Sequence, residues 1–107
     1  MMKIYLSPQV SNDNEKIHYS FDKDVVIARY KGEKDTFNFS SMPNGVAEDI
    51  TTTLSLNPII SAKRENGELW VELFNLIGLD ATEGDKFPNW IDYKDYKEPN
   101  PSKRGEK

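Results

Sequence analysis

Three groups of side chains in this 107-residue chain have the types and spacing that chemistry uses. His18, the single histidine, is followed at alternate positions by Ser20 and Asp22, which are the residue types of a base, a nucleophile and an orienting acid. Glu68 and Glu72 flank Trp70; an aromatic platform with two carboxylates is what a glycosidase uses. Asp80, Glu83 and Asp85 lie around Gly84 and carry the oxygen ligands that calcium takes. Each group has a plainer reading. Alternate positions of one strand share a face without converging on a substrate atom, so His18 reads as a solvated strand histidine. A short chain has difficulty enclosing a deep cleft, so the two glutamates read as a solvated strand edge. The acidic loop has Thr82 where an EF-hand needs its third-position ligand and lacks the closing glutamate. The expectation is therefore a protein without catalytic residues, metal site or cofactor.

The elements that must position these residues are almost all extended. Lys3–Leu6 is a short β-type run, and Pro8, which has no amide hydrogen, is expected to close it. Ile17, Tyr19 and Phe21 alternate with His18 and Ser20, the period of a strand with one buried face. Val25–Tyr30 is rich in β-branched residues, and Phe37 and Phe39 alternate with polar neighbours. Together these make the first 40 residues a meander, closed by the Met42-Pro43-Asn44-Gly45 turn. Val46–Leu56 reads as mostly irregular, because Thr51, Thr52 and Thr53 favour extended backbone and Pro58 restricts Asn57. Ile59–Arg64 and Leu69–Leu76 are two β-type runs joined across Asn66-Gly67, a hairpin signal. In the second arm Leu69, Val71 and Leu73 face one side, and Trp70, Glu72 and Phe74 the other.

The fold class expected is mainly β: a small single-domain antiparallel sheet or meander with a central Asn-Gly hairpin and little helix. Its core is expected to draw on Ile4, Leu6, Ile17, Tyr19, Phe21, Val25, Ile27, Phe37, Phe39, Leu69, Val71 and Leu73. Residues 1–96 form the domain. Residues 97–107, KEPNPSKRGEK, contain no large apolar side chain and read as a flexible polar tail.

The segment FPNWIDYKDYKEPNP repeats aromatic residues every three positions, at Phe87, Trp90, Tyr93 and Tyr96. A small sheet needs a cover on its apolar face, so Phe87 and Trp90 are expected to be buried, leaving Tyr93 and Tyr96 exposed. Rings that stay exposed can bind a partner. Trp70, Phe74, Trp90, Tyr93 and Tyr96 are the candidate partner-binding residues.

Net charge is −4, and residues 97–107 hold four basic and two acidic residues, leaving the preceding 96 at −6. A phosphate-binding groove needs clustered Lys and Arg, whereas Lys63-Arg64, the one adjacent basic pair before the tail, reads as a solvated surface feature. Nucleic acid is not an expected partner. The absence of cysteine removes disulfides and thiolate chemistry. The N-terminal apolar run is too short for a signal peptide and no stretch approaches a membrane span, so no membrane partner is expected.

Four local patterns, MKIYLSP followed by SNDN, DTFNFSSMPNG, RENGELWVELF and FPNWI, occur in that order from Met2 to Ile91. They resemble a family of small, largely uncharacterised proteins of tailed phages and prophages, encoded among tail and tail-fibre genes. The best parts are Asp35–Gly45, similar to the family's D-x-F-x-F-S-x-x-P-x-G, and Arg64–Leu73, similar to its R-x-[DN]-G-x-L-x-[LV]-x-L. The Thr-rich link at 46–57 and the tail beyond Tyr96 depart from the family pattern. The family has no established activity, so the resemblance implies a setting: the bacterial host cytoplasm or the virion tail. The function expected is non-enzymatic, an accessory or structural tail protein whose partner is another protein. One alternative is a phage-encoded acidic inhibitor of a host protein, since an acidic surface fits basic sites. A small carbohydrate-active enzyme using Glu68 and Glu72 is a further reading.

Overall fold

The computed structural model describes residues 2–10, 15–47, 50–77 and 88–96. Among the described residues eight strands are formed: β1 (Met2–Val10), β2 (His18–Asp22), β3 (Val25–Tyr30), β4 (Glu33–Asn38), β5 (Gly45–Ala47), β6 (Ile59–Glu65), β7 (Glu68–Ile77) and β8 (Ile91–Asp92). A 3₁₀ turn, Tyr93–Asp95, follows. The protein is mainly β. One sheet has five strands in the order β5-β6-β7-β1-β8, and the other is the three-stranded antiparallel meander β2-β3-β4.

Two hairpins have the same turn chemistry. In the β6–β7 hairpin Asn66 and Gly67 have φ of 53° and 82°, and in the β3–β4 hairpin Lys31 and Gly32 have 52° and 79°. Two successive left-handed residues give the loop whose twist matches that of the flanking strands. The expected Asn-Gly hairpin is present, with arms somewhat longer than the alternation alone outlined.

β1 is not part of the meander. It lies between β7 and β8, pairing parallel to β7 along its whole length from Met2↔Leu69 to Val10↔Ile77. Parallel neighbours need a long crossover; here the chain completes the whole three-stranded sheet before β7 returns to β1. Pro8 does not close the strand either. It pairs with Asn75 within β1, beyond the two residues, Lys3 and Ile4, where β8 covers the other side. That is the edge position at which a missing amide hydrogen is tolerated.

The buried faces of both sheets supply one hydrophobic cluster. From the five-stranded sheet come Met2, Ile4, Ile59, Ala62, Leu69, Val71, Leu73 and Leu76, and from the meander and its flanks Ile17, Tyr19, Val26, Ala28, Phe37 and Phe39. In β3 the buried phase is Val26 and Ala28, and the expected pair Val25 and Ile27 is only half-buried. VVIA is apolar in both phases, so alternation cannot choose. Register does: Val26 lies between Phe21 and Phe37, and the small Ala28 lies opposite Tyr19. Leu6 and Phe21 are likewise half-buried against the cluster.

Of the stretch 46–56 expected to be mostly irregular, Val46 and Ala47 instead belong to β5, paired with Lys63 and Ala62; residues 50–58 are irregular, as the threonines and Pro58 imply, but they are tied down. The Asp35 carboxylate accepts from Thr52 Oγ1 at 2.8 Å and Thr53 N at 3.0 Å, and Leu54 and Pro58 are buried beyond it. Phe87, the acidic loop with Asp80, Glu83 and Asp85, and the 97–107 tail lie outside the described residues.

Candidate functional site

The five-stranded sheet has an inner and an outer face, and the register sets which residues share them. Ala47, Ala62, Val71, Ile4 and Ile91 form a row across β5, β6, β7, β1 and β8 on the core side. The adjacent row, Val46, Lys63, Trp70, Lys3 and Asp92, therefore points outward. Next to it on the same face are Ser61, Glu72 and Tyr5.

Trp90 lies just before β8 and brings its ring against this face. Its centroid is 5.3 Å from Trp70 and 5.4 Å from Tyr5, edge-on to both, the orientation that aromatic quadrupoles prefer. Trp90 is nevertheless 42% exposed and Val46 66% exposed, while Ile60, at the β6 bulge, is also open to solvent. Tyr5, Trp70 and Trp90 thus form an aromatic ridge bordered by Lys3, Lys63 and Glu72. The expected burial of Trp90 is overturned. Trp90 sits on the polar outer side of the sheet, where a ring gains partners without being enclosed.

Tyr93 and Tyr96, expected to be exposed, are half-buried on the other sheet. Tyr93 packs 6.1 Å from Phe21, and Tyr96 packs edge-on at 5.2 Å from Phe21 and 5.9 Å from Tyr19. The Tyr96 hydroxyl accepts from Tyr19 N at 3.2 Å. The physical reason is the 3₁₀ turn: Asp92 Oδ1 accepts from Lys94 N, and the turn redirects the chain from the five-stranded sheet onto β2. Phe74 also packs against the core, and its carbonyl accepts from the Tyr19 hydroxyl at 2.6 Å. Burial, and after it the neighbouring Tyr96, holds the Tyr19 phenol far above the ordinary tyrosine range.

Of the five candidate partner-binding residues, the structure brings Trp70 and Trp90 together and places Phe74, Tyr93 and Tyr96 elsewhere. Tyr5 completes the ridge and was missed. Its signal was present in the outward phase Lys3-Tyr5-Ser7, which becomes meaningful only once β1 is placed beside β7.

The groups with chemical potential are spread out. Glu68 and Glu72 share the outer face with Trp70, their Cα atoms about 13 Å apart along the strand. Glu72 accepts from the Ser61 hydroxyl at 3.5 Å. The Ser20 hydroxyl accepts from Arg29 Nη1 at 3.0 Å. Asp22 is exposed at the end of β2. Among the described residues no cluster of three His, Cys, Asp or Glu could hold a metal ion, and no helix is long and apolar enough to cross a membrane.

Lys63-Arg64 is also not the solvated pair expected. Lys63 is exposed and lies 3.7 Å from Glu65, whereas the Arg64 side chain is 12% exposed and points to the inner side with Leu69. No protein-family model, curated protein or solved structure matches this chain.

Proposed function

We propose that this protein is a non-enzymatic binding component of a phage or prophage tail module, and that it holds a protein partner through the Tyr5–Trp70–Trp90 ridge. The phage setting rests on the resemblance carried by Asp35–Gly45 and Arg64–Leu73. The single observation behind the binding surface is the pair of tryptophans in edge contact on the outer sheet face, one of them 42% exposed. Exposed tryptophan on a rigid sheet, bordered by charged residues, has the composition of an interface hot spot.

The test is sedimentation of phage particles from cells that produce the full chain. The wild-type protein is expected to travel with the particles, and Trp90→Ala to remain behind while keeping its fold. Full co-sedimentation of Trp90→Ala would remove the ridge from the contact. Recovery of the protein only with a host protein, never with particles, would replace the tail reading with the inhibitor reading.

A further inference from the structure

The three rings of the ridge do not make a flat platform. The planes of Trp70 and Trp90 stand at 81° and those of Tyr5 and Trp90 at 63°, with centroids 5.3 and 5.4 Å apart. Trp90 is the most open of them, at 42% exposed. Rings set edge-on leave angular clefts between their planes, and a cleft admits a small rigid apolar group better than a broad flat one. The polyproline II helix is the chain form that docks into aromatic-lined grooves, because it is ordered before it binds and carries its pyrrolidine rings outward.

Around these clefts the outer face is acidic. Register places Glu65 and Glu68 directly opposite each other at the end of the β6–β7 hairpin, with Trp70 and then Glu72 following along β7 and Lys63, Lys3 and Asp92 in the row of Trp70. The four carboxylates outnumber the two ammonium groups by two. Lys63 lies 3.7 Å from Glu65, which leaves Glu68, Glu72 and Asp92 against Lys3. The Glu65–Glu68 pair is an independent observation. Like charges directly opposite on neighbouring strands are destabilising, and Glu68 stands about 7 Å from Trp70 along the strand. A cation brought to Glu68 by a partner relieves that repulsion.

We propose that the ridge takes a proline-rich, basic segment of the partner protein in polyproline II form, which rests on the reading of the ridge as the partner contact and adds the partner's chemistry to it. A prolyl ring enters the cleft between Trp70 and Trp90. Polyproline II rises about 3.1 Å per residue, so an arginine two or three residues away lies about 6–9 Å along the segment, which matches the separation of Glu68 from Trp70. There its guanidinium pairs with the Glu68 carboxylate through two parallel hydrogen bonds. An acidic proline-rich segment is rejected, because it meets Glu68 and Glu72 as like charges.

Trp70 and Trp90 are the only tryptophans of the chain, so the tryptophan fluorescence of the full chain reports on the ridge alone. The probe is a short synthetic peptide rich in proline, with two arginines and no aromatic residue; its controls have glutamine for the arginines or alanine for the prolines, and cellohexaose is the carbohydrate control. A saturable change is expected with the basic peptide, and binding about tenfold weaker with either peptide control. Glu68→Gln is expected to keep or raise thermal stability, by removing the repulsion with Glu65, while weakening the basic peptide about fivefold and leaving the arginine-free peptide unaffected. The proposal is overturned by the absence of a saturable change, by either peptide control binding as well as the basic peptide, by Glu68→Gln binding it like the wild type, or by saturation with cellohexaose alone. Co-sedimentation separates this from the tail reading. If particles carry the wild type and not Trp90→Ala while no peptide binds, the ridge stands as the contact and the polyproline ligand falls. If the basic peptide binds and Trp90→Ala still travels with particles, the ligand stands and the tail contact falls.

Discussion

Arg64 Nη2 lies 3.0 Å from Asp24 Oδ2, joining the β6–β7 hairpin of one sheet to the β2–β3 turn of the other. The same nitrogen donates to the Phe39 carbonyl at 2.7 Å, Nε donates to the Met42 carbonyl at 2.7 Å, and Nη1 donates to the Gly67 carbonyl at 3.1 Å. One guanidinium thus satisfies a carboxylate and three carbonyls where two sheets and a loop meet.

Arg64→Ala is expected to cost about 3 kcal/mol of unfolding free energy, because it strands a half-buried carboxylate and two part-buried carbonyls. Arg64→Lys keeps the charge but not the fork, and is expected to lose more than half of that amount. Urea denaturation of the three proteins checks both. If Arg64→Lys matches the wild type, the fork geometry is irrelevant and the clamp is only a point charge.

The two halves of the aromatic segment are expected to separate under mutation. Trp90→Ala removes two edge-on ring contacts at a solvent-exposed site, each worth about 0.5–1.5 kcal/mol, and so lowers stability modestly while abolishing partner binding. Tyr96→Phe removes the acceptor for Tyr19 N and costs about 1 kcal/mol, with partner binding unchanged. Paired denaturation and co-sedimentation measurements distinguish them. A Tyr96→Phe protein that folds normally and fails to bind would mean that the contact surface lies on the wrong sheet.

Asp35 gives the acid limb a specific origin. Its carboxyl is held below the usual aspartate range, first by the backbone hydrogen bond from Thr53, against the opposing effect of burial, with Thr52 and Thr36 adding to the lowering. A depressed folded-state value means that the stabilising contribution is present above the ordinary aspartate value of about 3.9 and is lost as pH falls through the lower, folded one. Asp35→Asn is therefore expected to be less stable than the wild type near neutrality, with the difference shrinking at acid pH. Unfolding free energies measured from pH 6 downward test this; a gap that stays constant with pH would exclude the carboxylate as the cause.

Tyr19 works in the opposite direction. Its phenol is buried and donates to the Phe74 carbonyl, so the folded protein keeps it protonated at pH values where the unfolded chain ionises. That contribution is complete below the ordinary tyrosine value of about 10 and is lost as pH rises above it. Tyr19→Phe is expected to cost about 1–2 kcal/mol at neutral pH by leaving the carbonyl without its donor. Above pH about 10 the variant should lose less stability than the wild type. Alkaline denaturation curves that run parallel for the two proteins would contradict this assignment.

Local chemistry was legible from the residues. The Asn66-Gly67 turn, the alternation of Leu69, Val71 and Leu73 against Trp70 and Glu72, and the inward phase of Phe37 and Phe39 are properties of neighbouring residues, because side-chain direction has period two and left-handed turns select few residue types. Where one phase was clearly more apolar than the other, the sequence chose the buried face. In β3 both phases of VVIA are apolar, and only pairing with β2 and β4 chose Val26 and Ala28.

Long-range placement came only with the tertiary structure. That β1 lies parallel to β7 depends on a crossover spanning most of the chain, for which no local pattern exists, and with it came Tyr5's place beside Trp70. The same holds for Arg64, which reads as a surface residue until the Asp24 carboxylate and the Phe39 and Met42 carbonyls are brought around it. A threefold spacing of Trp90, Tyr93 and Tyr96 could not divide the rings between two sheets, because the 3₁₀ turn, capped by Asp92, decides which sheet each ring meets. The sequence by itself determined which residues are apolar, charged or suited to a turn. The contacts between segments distant along the chain determined which of them became core, clamp or exposed surface, since burial is a property of the packed whole.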